Sequence, residues 1–168
     1  MPCRVKICGI STAEAVQAAV ASGSDAIGLM FYPPSKRHLE ISQAAELSRA
    51  AGPYVTVCGV FVDPEPDYLR AVCAKVGLDC LQFHGDETAE FCRDFGRPYI
   101  KAFRIDQQTD EDLRAAESHY PDCQGILLDT HVSGSYGGTG VTFDWNRVNY
   151  GGRKPVVLAG GLTTANVV

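Results

Sequence analysis

The chain has 168 residues, 45% of them hydrophobic, and a net charge of −5 with its basic residues scattered. Such a length and apolar content suit a single globular domain over 1–168, and no shift in composition marks a second one. Scattered Lys and Arg argue against a nucleic-acid partner, and no apolar run nears the ~20 residues of a membrane span.

Seven cysteines at irregular spacing, with no secretory signal, point to reduced thiols in a cytoplasm. The sequence holds neither a CxxC pair nor HExxH, so no metal is expected. A small anionic substrate stays open, because local donors rather than net charge bind it.

Apolar β-rich runs alternate with helical patterns along the whole length. A first strand near 3–8 ends in Lys6-Ile7-Cys8 and sets a thiol at its carboxyl tip, where parallel α/β folds carry their chemistry. A lone cysteine is more often a small buried hydrophobe. Gly9 and a helix start just beyond instead favour a reactive thiolate. Cys3, Cys58, Cys73, Cys80, Cys92 and Cys123 lack that setting and read as packing residues.

The first helix, near 12–22, has Ser11 or Thr12 and Glu14 as start signals. A second strand near 25–31 leads into the stiff basic loop Pro33-Pro34-Ser35-Lys36-Arg37-His38. A solvated charge cluster is the plain reading there; the functional one is Arg37 as a bidentate clamp on a carboxylate. A helix near 41–51, with Ser42 and Glu46 at its start, a strand near 54–62 and a helix near 65–76 follow. Gly23, Gly52 and Gly77 fall where these three helices should stop.

The fourth strand, near 79–84, ends in His84 before Gly85-Asp86, which suits a substrate contact or a structural turn equally. A helix near 87–95, a strand near 98–104 and a helix near 109–119, opened by Thr109-Asp110, come next. Strand six, near 124–129, ends in Asp129. That carboxyl either caps the following turn or faces partial burial, which favours its protonated form.

Gly134-Ser135-Tyr136-Gly137-Gly138-Thr139-Gly140 reads as a flexible connection or as a loop that closes over substrate. A helix near 143–149 and a strand near 155–160 follow. The strand ends in Ala159-Gly160-Gly161, with Thr163 ready to start another helix. Barrels bind phosphate after strands seven and eight, where glycine lets backbone amides approach the ligand.

The strand-helix repeat implies parallel strands, in either an open doubly wound sheet or a β/α barrel. No GxGxxG follows the first strand and no Walker A loop is present, which favours the barrel. Strand parity puts Arg4, Lys6 and Cys8 on one face and Val5 and Ile7 on the other. Cys80, Gln82 and His84 share a face, as do Leu127 and Asp129. In a barrel the polar sets face the lumen and the apolar sets the outer helices. Cys8, His84 and Asp129 are then expected at one rim.

The stretches Lys6-Ile7-Cys8-Gly9-Ile10, Ser35-Lys36-Arg37, Gln82-Phe83-His84-Gly85, Leu128-Asp129-Thr130, Gly137-Gly138-Thr139-Gly140 with Phe143-Asp144-Trp145, and Leu158-Ala159-Gly160-Gly161-Leu162 resemble, in order, those of the phosphoribosylanthranilate isomerases of tryptophan biosynthesis. Phe83 stands where the family usually has Leu, and Lys36 where Pro usually precedes the Arg.

The resemblance implies a TIM-type β/α barrel and an Amadori rearrangement of phosphoribosylanthranilate to carboxyphenylamino-deoxyribulose phosphate without a cofactor. Cys8 would be the general base and Asp129 the general acid. Arg37 would hold the anthranilate carboxylate and Gly160 and Gly161 the phosphate, with His84, Gly138, Thr139 and Gly140 lining the site. The family continues with an eighth strand and helix past the position of Val168. The chain is therefore expected to be a barrel shortened in or after its seventh helix, with seven of eight strands. Unpaired edges on strands one and seven would invite self-association.

Two other functions compete with this reading. A related isomerase acting on the histidine-pathway aminoaldose is expected to use paired carboxylates, which Cys8 opposes. An inactive binding or assembly module is opposed by the retention of Cys8, Asp129 and Arg37.

Overall fold

The structure is a computed structural model that describes residues 3–105, 109–130 and 149–166. Among these, in chain order, lie β1 (Lys6–Cys8), α1 (Ala13–Ala21), β2 (Ala26–Met30), α2 (Ile41–Ala50), β3 (Thr56–Phe61) and α3 (Pro66–Lys75). β4 (Cys80–Phe83), α4 (Ala89–Arg93), β5 (Tyr99–Ile105), α5 (Asp110–Ser118), β6 (Gly125–Thr130) and β7 (Val156–Leu158) complete the set. Each of the seven strands falls on a run expected to form one. The loop expected at 134–140 lies outside the described residues, as does the helix expected near 143–149 up to residue 148.

The strand order in the sheet is the order in sequence, β1 to β7. The β1–β2, β2–β3, β5–β6 and β6–β7 ladders are parallel. A doubly wound sheet reverses its strand order at a switch point. An unreversed order is instead that of the β/α-barrel class, the choice made from the sequence.

The chain forms two compact units: one runs to Gln82 and includes Phe95–Pro98, and the other comprises Phe83–Asp94 and the chain from Tyr99. In the first unit, Lys6 pairs with Ala26 and Cys8 with Gly28, and β2 pairs with β3 from Ala26↔Thr56 to Met30↔Val60. Val57 through Phe61 are all buried, the near-continuous apolar run of a strand covered on both faces. Phe31 and Phe61 stack with ring centroids 5.0 Å apart.

One device recurs at the start of the strands. Asp25, just before β2, accepts the backbone N–H of Val5 at 2.8 Å, and Asp79, just before β4, accepts that of Val57 at 2.8 Å. Each carboxylate ties the beginning of one strand to a neighbour and so fixes the register.

In the second unit, β5 pairs with β6 from Ile100↔Gly125 to Ile105↔Thr130, and β6 with β7 from Ile126↔Val156 to Leu128↔Leu158. β6 is buried throughout. Phe83 meets Phe91 and Tyr99 edge-on, at 6.0 and 5.9 Å between centroids. Glu117, near the end of α5, accepts the backbone N–H groups of Arg153 and Lys154 and the hydroxyl of Tyr150. It thereby anchors the segment that leads into β7.

The helix starts bear out Thr12 and Thr109 and correct Ser42. Thr12 accepts the N–H of Ala15 at 3.2 Å, and Thr109 forms a reciprocal capping box with Asp112. The cap of α2 falls on Glu40, which makes no side-chain bond there, because the helix begins at Ile41 and Ser42 already lies inside it. At the chain's end, Thr163 to Asn166 form a turn in which Asn166 donates its N–H to the Thr163 carbonyl.

Two packing expectations also need correction. Val5 and Ile7 are 47% and 43% exposed, because no described segment covers that face of β1. Cys3 is exposed as well, whereas Cys58, Cys92 and Cys123 are buried and Cys73 and Cys80 partly so. No described helix is long and apolar enough to cross a membrane.

Candidate active site

The first unit carries Cys8 and Arg37. Cys8 is the last residue of β1 and is half-buried. Its register partner on β2 is Gly28, where a Cβ would lie 2.8 Å from the Cys8 sulfur. Only glycine leaves the sulfur its space. Lys6 shares the face of Cys8, and its Nζ lies 4.0 Å from the Cys8 Sγ while donating to Oε1 of the buried Gln82.

The helix start proposed to act on the thiol falls where the sequence put it, with Thr12 as its cap. α1 begins at Ala13, beyond Gly9–Thr12. A helix terminus acts over little more than its first turn, so the Lys6 ammonium is the closer positive charge.

The same unit holds two further thiols, Cys58 on β3 and Cys80 at the start of β4. A hydrogen bond between Cys58 and Cys80 pushes the Cys58 thiol well above its ordinary pKa and draws that of Cys80 down.

Arg37 is exposed at its head but anchored at the tip of β1. Its Nη1 donates to the Cys8 carbonyl at 3.0 Å. The side chain runs across Gly9, whose φ is +78° and whose Cβ, if present, would sit 2.4 Å from Arg37 Nη1. The basic loop is thus fixed to the strand that carries the thiol.

The second unit carries His84, Asp129, Gly160 and Gly161. Asp129 is 5% exposed near the end of β6. Its Oδ1 accepts the N–H of Thr130 at 2.8 Å, and its Oδ2 lies 3.2 Å from Nε2 of His84. The carboxyl thus bonds the next residue and is buried. Arg104, its register partner on β5, is engaged by Asp86 at 2.9 Å.

Gly160 follows β7 with φ +82°, and a Cβ there would fall 2.6 Å from Asp129 Oδ1 and 2.4 Å from Thr130 Oγ1. Gly161 also has a positive φ, +67°. Gly160 therefore comes against Asp129 itself. Gly138, Thr139 and Gly140 lie outside the described residues.

Sequence reasoning passed over Lys6, Gln82 and Gly28. The parity of strands one and four held the signal for the first two, since each shares a face with a candidate residue.

The strand order and parallel ladders define a protein of the β/α-barrel class. The family profile described as N-(5'phosphoribosyl)anthranilate (PRA) isomerase matches residues 5–168. The chain belongs to that family.

Among its relatives, the N-(5'-phosphoribosyl)anthranilate isomerase of Pseudomonas paraeruginosa is 51% identical over 164 residues, covering 98% of this chain and 77% of that protein. The enzyme of the same name from Neisseria meningitidis serogroup C is 47% identical, covering 98% and 78%. The crystal structure of phosphoribosyl anthranilate isomerase from Thermus thermophilus matches with a TM-score of 0.83 at 32% identity, over 98% of this chain and 80% of that one. A phosphoribosyl anthranilate isomerase solved in complex with reduced 1-(o-carboxyphenylamino)-1-deoxyribulose 5-phosphate matches with a TM-score of 0.79 at 36% identity, over 99% and 79%.

Proposed function

We propose that Cys8 and Asp129 are the base and acid with which this chain, an isomerase of phosphoribosylanthranilate, rearranges the aminoaldose to carboxyphenylamino-deoxyribulose phosphate. Asp129 gives its proton to the furanose ring oxygen as the bond from that oxygen to the anomeric carbon breaks. The amine lone pair then forms a protonated Schiff base. Cys8 as thiolate removes the proton from the neighbouring sugar carbon, and the released electron pair neutralises the iminium to an enolamine. The Cys8 thiol returns its proton to the former anomeric carbon while the enol hydroxyl loses its own proton, the equivalent that restores Asp129, and the ketone forms. Atoms and electrons balance within the one substrate, so the steps call for no external oxidant or reductant.

The observation that carries this reading is the pairing of buried Asp129 with His84 at the end of β6, with the Cys8 sulfur at the end of β1. Each group stands at the carboxyl end of its strand, where β/α-barrel enzymes carry their chemistry, which supports the assignment of both. Arg37 is assigned the anthranilate carboxylate, the glycines at 160 and 161 the phosphate, and His84 a place beside the acid. Gly138, Thr139 and Gly140 are assigned to the lining of the same site. Seven thiols, none in a disulfide, suit the reducing cytoplasm as the compartment.

The test is loss of phosphoribosylanthranilate fluorescence in the chain and in two variants. Asp129→Asn and Cys8→Ala should each lower kcat by roughly 10²–10⁴, the scale of a positioned acid or base, with circular dichroism unchanged. Near-unaltered turnover in either folded variant removes that residue from the mechanism. Turnover of the histidine-pathway aminoaldose in preference would move the substrate assignment instead.

A further inference from the structure

We propose that Glu87 and Lys101 form a buried ion pair that holds the turn after β4 so that His84 meets Asp129. They are positioning residues for the reaction proposed above, on which this inference rests.

Both side chains are only 2% exposed, with Lys101 Nζ 2.9 Å from Glu87 Oε2. A buried ion pair is weak evidence for stability, since apolar replacements of similar volume often serve as well. What this pair does geometrically is more specific. Both carboxylate oxygens of Glu87 accept the N–H of Gly85, at 3.2 and 3.0 Å, while Lys101 Nζ donates to the Gly85 carbonyl at 2.6 Å. The two backbone polar groups of the residue beside His84 are thus taken up by the two members of one pair.

The surroundings fix the pair in turn. The Tyr120 hydroxyl donates to the Glu87 carbonyl at 2.9 Å, and the Tyr120 ring centroid lies 5.6 Å from Lys101 Nζ. Asp86, between the two anchored residues, meets Arg104 on β5 at 2.9 Å. Gly85, Asp86 and Glu87 are therefore each tied to β5 or to Tyr120, two residues past α5. This leaves the imidazole of His84, one residue earlier, with Nε2 3.2 Å from Asp129. A shift of about 1 Å in the turn would break that approach, a displacement large enough to matter in a catalytic geometry.

The test uses two variants of the whole chain. Glu87→Asp keeps the charge balance but shortens the reach by one methylene, so the carboxylate cannot both hold Gly85 and meet Lys101. Glu87→Gln with Lys101→Met removes both charges together, leaving neither buried alone. For each, kcat and KM are measured per folded molecule, and the ring ¹⁵N signals of His84 are followed by NMR.

Positioning predicts a kcat lower by about tenfold or more, a KM changed by less than about threefold, and displaced His84 ring signals. In an Asp129→Asn background the same changes should cause no further loss of turnover, because the contact they support is already gone. Folded variants with unaltered kcat and His84 signals overturn the proposal. Failure of both to fold overturns it too, in favour of a purely structural pair. Should Asp129→Asn alone keep full activity, the acid assignment fails, while the His84 signals still read the positioning claim by itself.

Discussion

Nε2 of His84 lies 3.2 Å from Oδ2 of Asp129, and the two side chains are 8% and 7% exposed. The residues belong to different strand ends, and their contact joins a group assigned to the lining of the site with the one assigned to deliver the proton. His84→Ala should lower kcat by roughly 10–100-fold, the scale of coupling energies between contacting residues. The double variant with Asp129→Asn should be no slower than Asp129→Asn alone. Additive losses in the fluorescence assay would show that the imidazole acts independently of the carboxyl.

Gly160→Ala separates backbone strain from crowding of the acid. Gly23 and Gly160 have similar φ, +77° and +82°, but a Cβ at Gly23 meets nothing within 4 Å, whereas one at Gly160 meets Asp129 and Thr130. Either alanine should cost about 1–2 kcal/mol for the left-handed conformation. Turnover should fall only in Gly160→Ala. Urea unfolding and kcat measured on both variants check this, and equal activity in the two would remove the crowding.

Glu117 should prove a stability residue with no part in the chemistry. Its carboxylate accepts from Lys154 N at 2.7 Å, Arg153 N at 3.0 Å and the buried Tyr150 hydroxyl at 3.1 Å. Glu117→Ala strands these donors and should cost about 2–3 kcal/mol in urea unfolding. Glu117→Gln, which keeps one acceptor oxygen, should cost less. A negligible effect of the alanine on the midpoint would mean that water replaces the carboxylate without penalty.

Alkaline pH should weaken the fold from near pH 9 upward. Burial raises the Cys92 thiol from 9.0 to about 12 and the Tyr120 phenol from 10.0 to about 12. Both groups hold their protons more tightly when folded, so the unfolded chain loses its protons first as pH rises. Stability is then complete below the unfolded values and declines between about pH 9 and 12. Unfolding midpoints in urea from pH 7 to 11 test the sign; a flat profile above pH 9 would contradict it. Native-state alkylation at neutral pH should accordingly reach exposed Cys3 long before Cys92.

Much of this protein was settled by local pattern. The alternation of apolar runs fixed seven strands, and the side-chain period of two placed Lys6 with Cys8 and Gln82 with His84 on shared faces. Thr12 and Thr109 marked helix starts because a hydroxyl satisfies N–H groups only a few residues away. Ser42 misled because a capping hydroxyl looks the same one turn position too late. Position relative to strand ends picked out Cys8 and Asp129 as candidates without any contact being known.

Folding in three dimensions decided the partners. That Gly28 makes room for the Cys8 sulfur, that Arg37 lies across Gly9, that Gly160 abuts Asp129, and that Glu87 and Lys101 grip Gly85 depends on strand register and loop path. The same holds for the approach of His84 to Asp129. Such contacts join residues far apart in the chain, and no short stretch encodes which of many compatible neighbours a side chain will meet. Composition and periodicity thus singled out the residues proposed to carry chemistry, while packing alone determined what stands within reach of each.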